Sequence, residues 1–182
     1  MNKDGAPVVY AIVTGARAAR DVGKLVDLAQ RDGWDVCVIA SPNGRRFIDV
    51  DDLVARTGHP VRSEYKEPDA PDELPPADGM IVAPVTSNSL AKWAAGISDT
   101  LPLGLLVEAV GLEIPVVAVP FTNRALINFP AVREAVRKLS EWGVTMLIED
   151  HEPNADGDLV ERFPWAAAWG ALLDHPRLAV GE

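Results

Sequence analysis

The chain has 182 residues, enough for one sizeable domain with a buried core, and its 48% hydrophobic and 24% charged residues are an ordinary balance for a soluble globular protein. A formal net charge of −10 argues against binding to nucleic acid or an anionic membrane surface, and no apolar run reaches the length of a membrane span. The first residues lack the basic segment and apolar core of a signal peptide, and the single cysteine, Cys37, has no partner for an intrachain disulfide, so a cytoplasmic protein is expected.

Residues 7–14 are apolar and β-branched, which predicts a buried strand. A turn at 14–17 leads into helical periodicity over 18–30, stopped by Gly33. Residues 35–40 predict a second buried strand, with Cys37 as a core thiol. The turn Ser41-Pro42-Asn43-Gly44 and a short helix over 47–55 follow. This β-α-β-α opening predicts a doubly wound parallel α/β sheet of Rossmann or flavodoxin type, with right-handed crossovers.

The segment 58–61 leads into a short third strand. Residues 67–76, acidic and proline-rich, predict an exposed loop. A strand over 78–83, a helix over 87–95, an apolar helix over 100–110 and a strand over 114–119 come next. Residues 130–142 predict a helix with Pro130 in its first turn, ended by Gly143, and 144–148 the last strand. After an acidic loop over 149–158, Trp165 and Trp169 fall on one face of a helix over 159–173, a pattern that predicts core packing. No repeat or composition break divides the chain, so residues 1–182 are expected to form a single domain, and 176–182 to fray.

Four turns follow strands at what should be one edge of the sheet. They are Thr14-Gly15-Ala16, Ser41-Pro42-Asn43-Gly44, Thr86-Ser87-Asn88-Ser89 and Pro120-Phe121-Thr122-Asn123. Such residues either cap helices and make turns or present hydroxyl, amide and N–H groups to a ligand. Together they form a neutral polar crevice suited to a phosphate-bearing cofactor. The first turn is neither G-x-G-x-x-G nor a P-loop, which argues against a dinucleotide or a nucleoside triphosphate. Three histidines and one cysteine make no clustered metal signature.

Two longer runs, Pro84 to Ser89 continued by Ala91-Lys92, Ala94, Gly96 and Asp99, and Pro120 with Asn123 and Pro130, have a spacing that resembles the homo-oligomeric flavin-containing cysteine decarboxylases, which include the phosphopantothenoylcysteine and lantibiotic peptidyl-cysteine decarboxylases. The resemblance runs over residues 8–147 and leaves 149–182 as a divergent loop and helix. The family's T-G-S-x-A turn is matched by Thr14-Gly15-Ala16-Arg17-Ala18, with alanine for serine. Its second turn is matched in part by Ser41 and Arg45-Arg46-Phe47-Ile48. Its P-A-S-A-N-T and A-K-x-A-x-G-x-x-D motifs are matched by Pro84 to Ser89, Ala91-Lys92, Ala94, Gly96 and Asp99. Its P-x-M-N-x-x-M-W-x-x-P motif keeps Pro120, Asn123 and Pro130, with Thr122, Leu126 and Ile127 for its Met, Met and Trp.

The resemblance implies an FMN-binding flavoprotein, a decarboxylase-like lyase whose cofactor sits between subunits of a homotrimer, often assembled into dodecamers. By position it places Gly15, Ala16 and Ser41 near the FMN phosphate and Phe47 near the isoalloxazine. Thr86, Ser87 and Asn88 would contact flavin or substrate, and Asn123 the carboxylate of a small-molecule or peptide substrate. In the family, FMN accepts two electrons from a cysteine moiety, and the resulting thioaldehyde loses carbon dioxide to give an enethiol. That chemistry uses a histidine about eight residues before the pair matched by Ala77-Asp78, and residues 68–76 contain none. His59 fits the lead-in to the preceding strand instead, and His151 and His175 lie beyond the matched region. The family's Gly-rich flap with its cysteine is also missing from 149–163. The catalytic residue is therefore unassigned, and the alternative is a non-catalytic FMN-binding or regulatory homologue.

Overall fold

The computed structural model describes residues 5–71, 74–148 and 158–178. Five parallel strands, β1 (Val8–Val13), β2 (Asp35–Ala40), β3 (Gly79–Val85), β4 (Val116–Pro120) and β5 (Thr145–Met146), form one sheet in the order β2-β1-β3-β4-β5. The helices are α1 (Gly23–Arg31), α2 (Val50–Thr57), α3 (Ser87–Ala94), α4 (Leu101–Gly111), α5 (Arg124–Ile127), α6 (Pro130–Glu141), α7 (Asp158–Glu161) and α8 (Trp165–Leu173).

Strand residues alternate between two cores because successive side chains point to opposite faces. Val9, Ala11, Val13, Val36, Val38, Ile81 and Val117 pack with Leu25 and Val26 of α1, Leu53 of α2, and Trp169 and Leu172 of α8. Tyr10, Ile12, Ile39, Met80, Val82 and Ala118 pack with Trp93 of α3, Leu106 of α4 and Leu139 of α6. Every residue of β1, β2, β3 and β4 is buried, as expected for a parallel sheet covered on both faces. The doubly wound α/β class expected from the sequence is therefore the observed one.

Several expected elements change in detail. The first helix divides into a 3-10 turn over Arg17–Asp21 and α1, and the second into a 3-10 turn over Gly44–Phe47 and α2. The expected third strand is reduced to one bridge between Ile39 and Arg62. Pro60 has no N–H to offer a ladder there, and charged residues follow at Arg62, Glu64 and Lys66. The 67–76 loop is exposed as far as Asp69, but Pro75 is buried and its carbonyl accepts from the Tyr10 hydroxyl at 2.7 Å. The C-terminal helix is broken before Trp165, where Pro164 takes the N-cap position of α8. Trp165 and Trp169 are both core residues, 4% exposed. The acidic 149–158 loop and His151 lie outside the described residues, Asp158 apart.

Candidate functional site

In this strand order the connections leave β1 and β3 in opposite directions, and the crevice at their carboxyl ends is where open α/β sheets bind ligands. Thr14 ends β1 there, 2% exposed. Its N–H and its hydroxyl donate to the Pro84 carbonyl at 3.1 and 3.0 Å, and its Oγ1 accepts from the Thr86 N–H at 2.9 Å. The first and third turns are thus joined through one side chain.

The first and second turns interlock through missing side chains. A Cβ on Gly15 would lie 2.9 Å from Asn43 Cβ, and one on Gly44 would lie 2.7 Å from the Val13 carbonyl oxygen. The Ser41 N–H donates to that same carbonyl at 2.9 Å, and Ser41 Oγ accepts from the Gly44 N–H at 2.9 Å. The Ser41 hydroxyl still has its proton to give. Ala16 precedes the 3-10 turn in extended conformation, and its side chain caps nothing. The leading N–H groups of that turn therefore lack the partner that a Ser or Thr cap would supply.

The third and fourth turns are capped. Thr86 Oγ1 accepts from the Ser89 N–H at 3.3 Å and donates to Ser89 Oγ at 3.1 Å. Ser87 is half-buried and Asn88 exposed, and neither side chain makes a hydrogen bond among the described residues. The Phe121 N–H donates to the Val85 carbonyl at 3.0 Å, holding the fourth turn beside the third. Asn123 Oδ1 accepts from the Leu126 N–H at 2.9 Å as the N-cap of α5. That bond leaves the exposed amide N–H₂ as the donor facing outward. Beside it, Thr122 Oγ1 is buried and makes no hydrogen bond among the described residues.

The rest of the long motif after Asn88 is structural. Lys92 Nζ pairs with Asp99 at 2.5 Å, and Gly96, with φ of 70°, makes the left-handed bend after α3 that a side chain would strain. The structure brings Gly15, Ala16, Ser41, Thr86 and Ser87 to one edge. Phe47, Asn88 and Asn123 stand exposed at the ends of the neighbouring turns, Phe47 at 39%. Sequence reasoning gave Thr14 no role of its own. The signal was a threonine directly after an apolar strand, a position where a buried hydroxyl must find partners.

The ionisable candidates lie elsewhere. His59 Nε2 is 2.9 Å from both carboxylate oxygens of Asp35, the first residue of β2, so this pair sits at the amino edge of the sheet. His175, 4% exposed, donates from Nε2 to the Gly143 carbonyl at 3.3 Å and accepts at Nδ1 from the Arg177 N–H at 3.2 Å. Cys37 lies within β2, fully buried. Burial, reinforced by the Asp35 carboxylate, pushes its thiol up to about 12. It is a core residue and not a nucleophile. Among the described residues no group of three or more His, Cys, Asp or Glu side chains could hold a metal ion.

A family model described as Flavoprotein matches residues 2–165. The coenzyme A biosynthesis bifunctional protein CoaBC of Thermococcus kodakarensis is 30% identical over 148 residues, covering 79% of this chain and 36% of that protein. The chain thus spans little more than a third of that relative's length. A probable phosphopantothenoylcysteine decarboxylase of Streptococcus mutans is 25% identical over 157 residues, covering 83% of this chain and 87% of that one. Among solved structures, the FMN-dependent cysteine decarboxylase TvaF from thioviridamide biosynthesis superimposes with a TM-score of 0.69 at 22% identity, over 93% of this chain and 100% of that chain. At that identity the superposition speaks for the fold.

Proposed function

The chain belongs to the Flavoprotein family, and from that premise we propose that it binds FMN at the carboxyl edge of its sheet and carries out decarboxylase-type chemistry on a small carboxylated or cysteine-derived substrate. The observation that carries this reading is the interlocked crevice itself. Gly15 and Gly44 leave no room for side chains between the turns, Ala16 leaves a helical turn uncapped, and Ser41 and Thr86 line the same edge. These groups fit a phosphate-bearing ligand, because they offer N–H and hydroxyl donors without a charged side chain to desolvate.

In this reading Gly15, Ala16 and Ser41 hold the phosphate, and Phe47 packs beside the ring system. Thr86, Ser87 and Asn88 face flavin or substrate. When bound, FMN supplies a two-electron acceptor. Asn123 binds the substrate carboxylate. Its cap to Leu126 fixes the amide, so the N–H₂ is presented to an anion without further ordering. Thr122 Oγ1, buried beside it and without a hydrogen bond among the described residues, gives the fourth turn a second polar group in need of a partner.

The described residues share one sheet with a core on each face, which supports a single domain. Phe47, Leu126 and Phe129 are 39%, 46% and 58% exposed near the site, and such apolar surface supports a homotrimer or larger assembly. No described helix is long and apolar enough to cross a membrane, and a cytoplasmic setting without nucleic acid remains part of the reading.

The test is the pigment. Purified protein should be yellow and release FMN on denaturation, identified by mass. Anaerobic mixing with cysteine-terminated peptides should bleach the flavin and release carbon dioxide. Colourless protein that takes up no added FMN sinks the proposal. A second reading, an FMN-binding homologue without catalysis, is favoured by one observation: His59 and His175 are both engaged away from the site, at Asp35 and Gly143. Flavin that binds but does not bleach would select it.

A further inference from the structure

An open groove of about 600 Å³ lies between the second turn and the loop that follows the Ile39–Arg62 bridge. Its walls include Pro42, Arg45, Ser63, Tyr65, Lys66 and Ala70. It shares Pro42 and Arg45 with the turn that carries Ser41 and Phe47, so it opens beside the proposed cofactor crevice.

Arg45 is held there by one nitrogen. Its Nη1 donates to the Val61 carbonyl at 3.3 Å and to Ser63 Oγ at 3.4 Å, and Val61 and Ser63 are both buried. Its Nε and Nη2 donate to no described residue, and it forms no ion pair among them. Glu64 and Glu67 line the same groove without pairing with it. In this acidic chain, Arg56 and Arg137 each bridge two carboxylates. The Nε–Nη2 edge of a guanidinium is the fork that takes two oxygens of a carboxylate or phosphate side by side. The two contacts at Nη1 leave that fork open to a ligand.

A second lining residue, Tyr65, is also held. The Tyr65 hydroxyl donates towards the Ser98 and Thr100 carbonyls, at 2.9 and 3.1 Å, while the residue stays 54% exposed. Gly104 makes room for it, since a Cβ there would lie 2.2 Å from Tyr65 Oη. The Tyr65 ring, Pro42 and Ala70 give the groove apolar surface beside the cation. Its volume falls within the roughly 300–1,000 Å³ of small-molecule sites, far more than a bare oxyanion fills.

We propose that this groove binds the anionic end of an elongated organic ligand, a phosphate monoester or a carboxylate whose apolar portion lies along Tyr65, with the Arg45 fork as its anchor. Calling that ligand the substrate rests on the function proposed above; the affinity of the groove for an organic anion does not.

The test titrates the protein as purified with inorganic phosphate, phenyl phosphate and phenylacetate, following the ¹⁵N signal of Arg45 Nε. Expected are saturable shifts, with the aromatic anions at least tenfold tighter than inorganic phosphate. The tighter of the two names the class. Arg45→Ala should abolish aromatic-anion binding, scored by calorimetry. Arg45→Lys, which keeps the charge but not the fork, should weaken it at least tenfold and serves if the alanine variant misfolds. Gly104→Ala, which displaces Tyr65, should remove the advantage of the aromatic anions. Absence of saturation, or binding unchanged in both Arg45 variants, overturns the proposal. So does a loss in Arg45→Ala of preference for FMN over riboflavin, which would make the fork a cofactor-phosphate ligand. Protein that binds no flavin but still titrates would refute the function above and leave the groove standing.

Discussion

The Thr86 N–H donates to Thr14 Oγ1 at 2.9 Å, and that hydroxyl donates in turn to the Pro84 carbonyl at 3.0 Å. One buried side chain therefore sets the spacing of the two turns that flank the point where the connections of the sheet diverge. Thr14→Val keeps the shape and removes the hydroxyl, leaving the Thr86 N–H without its acceptor. The expected loss is about 1–3 kcal/mol, read from urea unfolding, together with weaker FMN binding. A variant as stable as the parent and equally tight for FMN would show that the two turns are not coupled through this residue.

Asn123 carries two roles that one substitution separates. Aspartate caps a helix as well as asparagine does but offers no N–H₂ to an anion. Asn123→Asp should leave the melting temperature within a degree or two of the parent and weaken a carboxylate ligand at least tenfold. Unchanged affinity would confine Asn123 to capping α5.

The nearest atom to a Cβ on Gly44 is backbone, the Val13 carbonyl oxygen, with Ser41 Oγ next at 3.1 Å, so a rotamer change at Ser41 alone cannot relieve Gly44→Ala. The 2.7 Å approach to the Val13 carbonyl should force the second turn away from β1, at a cost of about 1–3 kcal/mol. Flavin retention should fall with it. Full flavin content on purification would remove the second turn from the cofactor site.

Cys37 should resist thiol reagents at pH 8 in the native protein, since it is fully buried and its thiol is pushed up to about 12 by burial. Labelling should follow unfolding across a denaturant series. Rapid reaction in the folded state would contradict its place in β2.

His175 sets a sign for the pH dependence. Its burial lowers its pKa below the ordinary value of 6.5, and the Arg177 N–H already occupies Nδ1. The unfolded chain then binds more protons than the folded one below about pH 6.5. This contribution to stability is complete above that pH and is lost as the pH falls towards the lower folded value. The urea midpoint should drop between pH 7.5 and 5.5, and less steeply in His175→Phe. An equal drop in both proteins would assign the acid sensitivity to other groups.

The β-branched runs placed β1 to β4, and the Trp165–Trp169 spacing placed both rings in the core, because burial on a parallel sheet leaves a strong local pattern. The broken helices were harder to read. The 3-10 turn at Arg17–Asp21 and the interruption before Trp165 depend on how the chain leaves the sheet, which no local period records. The turns of the site were legible as turns. Their interlock was not, since Gly15 against Asn43 and Gly44 against Val13 are contacts between segments distant in sequence.

Between α2 and β3 the described chain runs as a loop without a helix of its own. Its described attachments to the rest of the fold include the Ile39–Arg62 bridge, the Tyr65 hydroxyl on Ser98 and Thr100, and the Tyr10 hydroxyl on Pro75. A wall fastened at a few points is an exchangeable part. A graft that preserves those anchors can replace the lining between them without disturbing the interlocked turns, so ligand preference and cofactor retention can be redesigned separately on this scaffold.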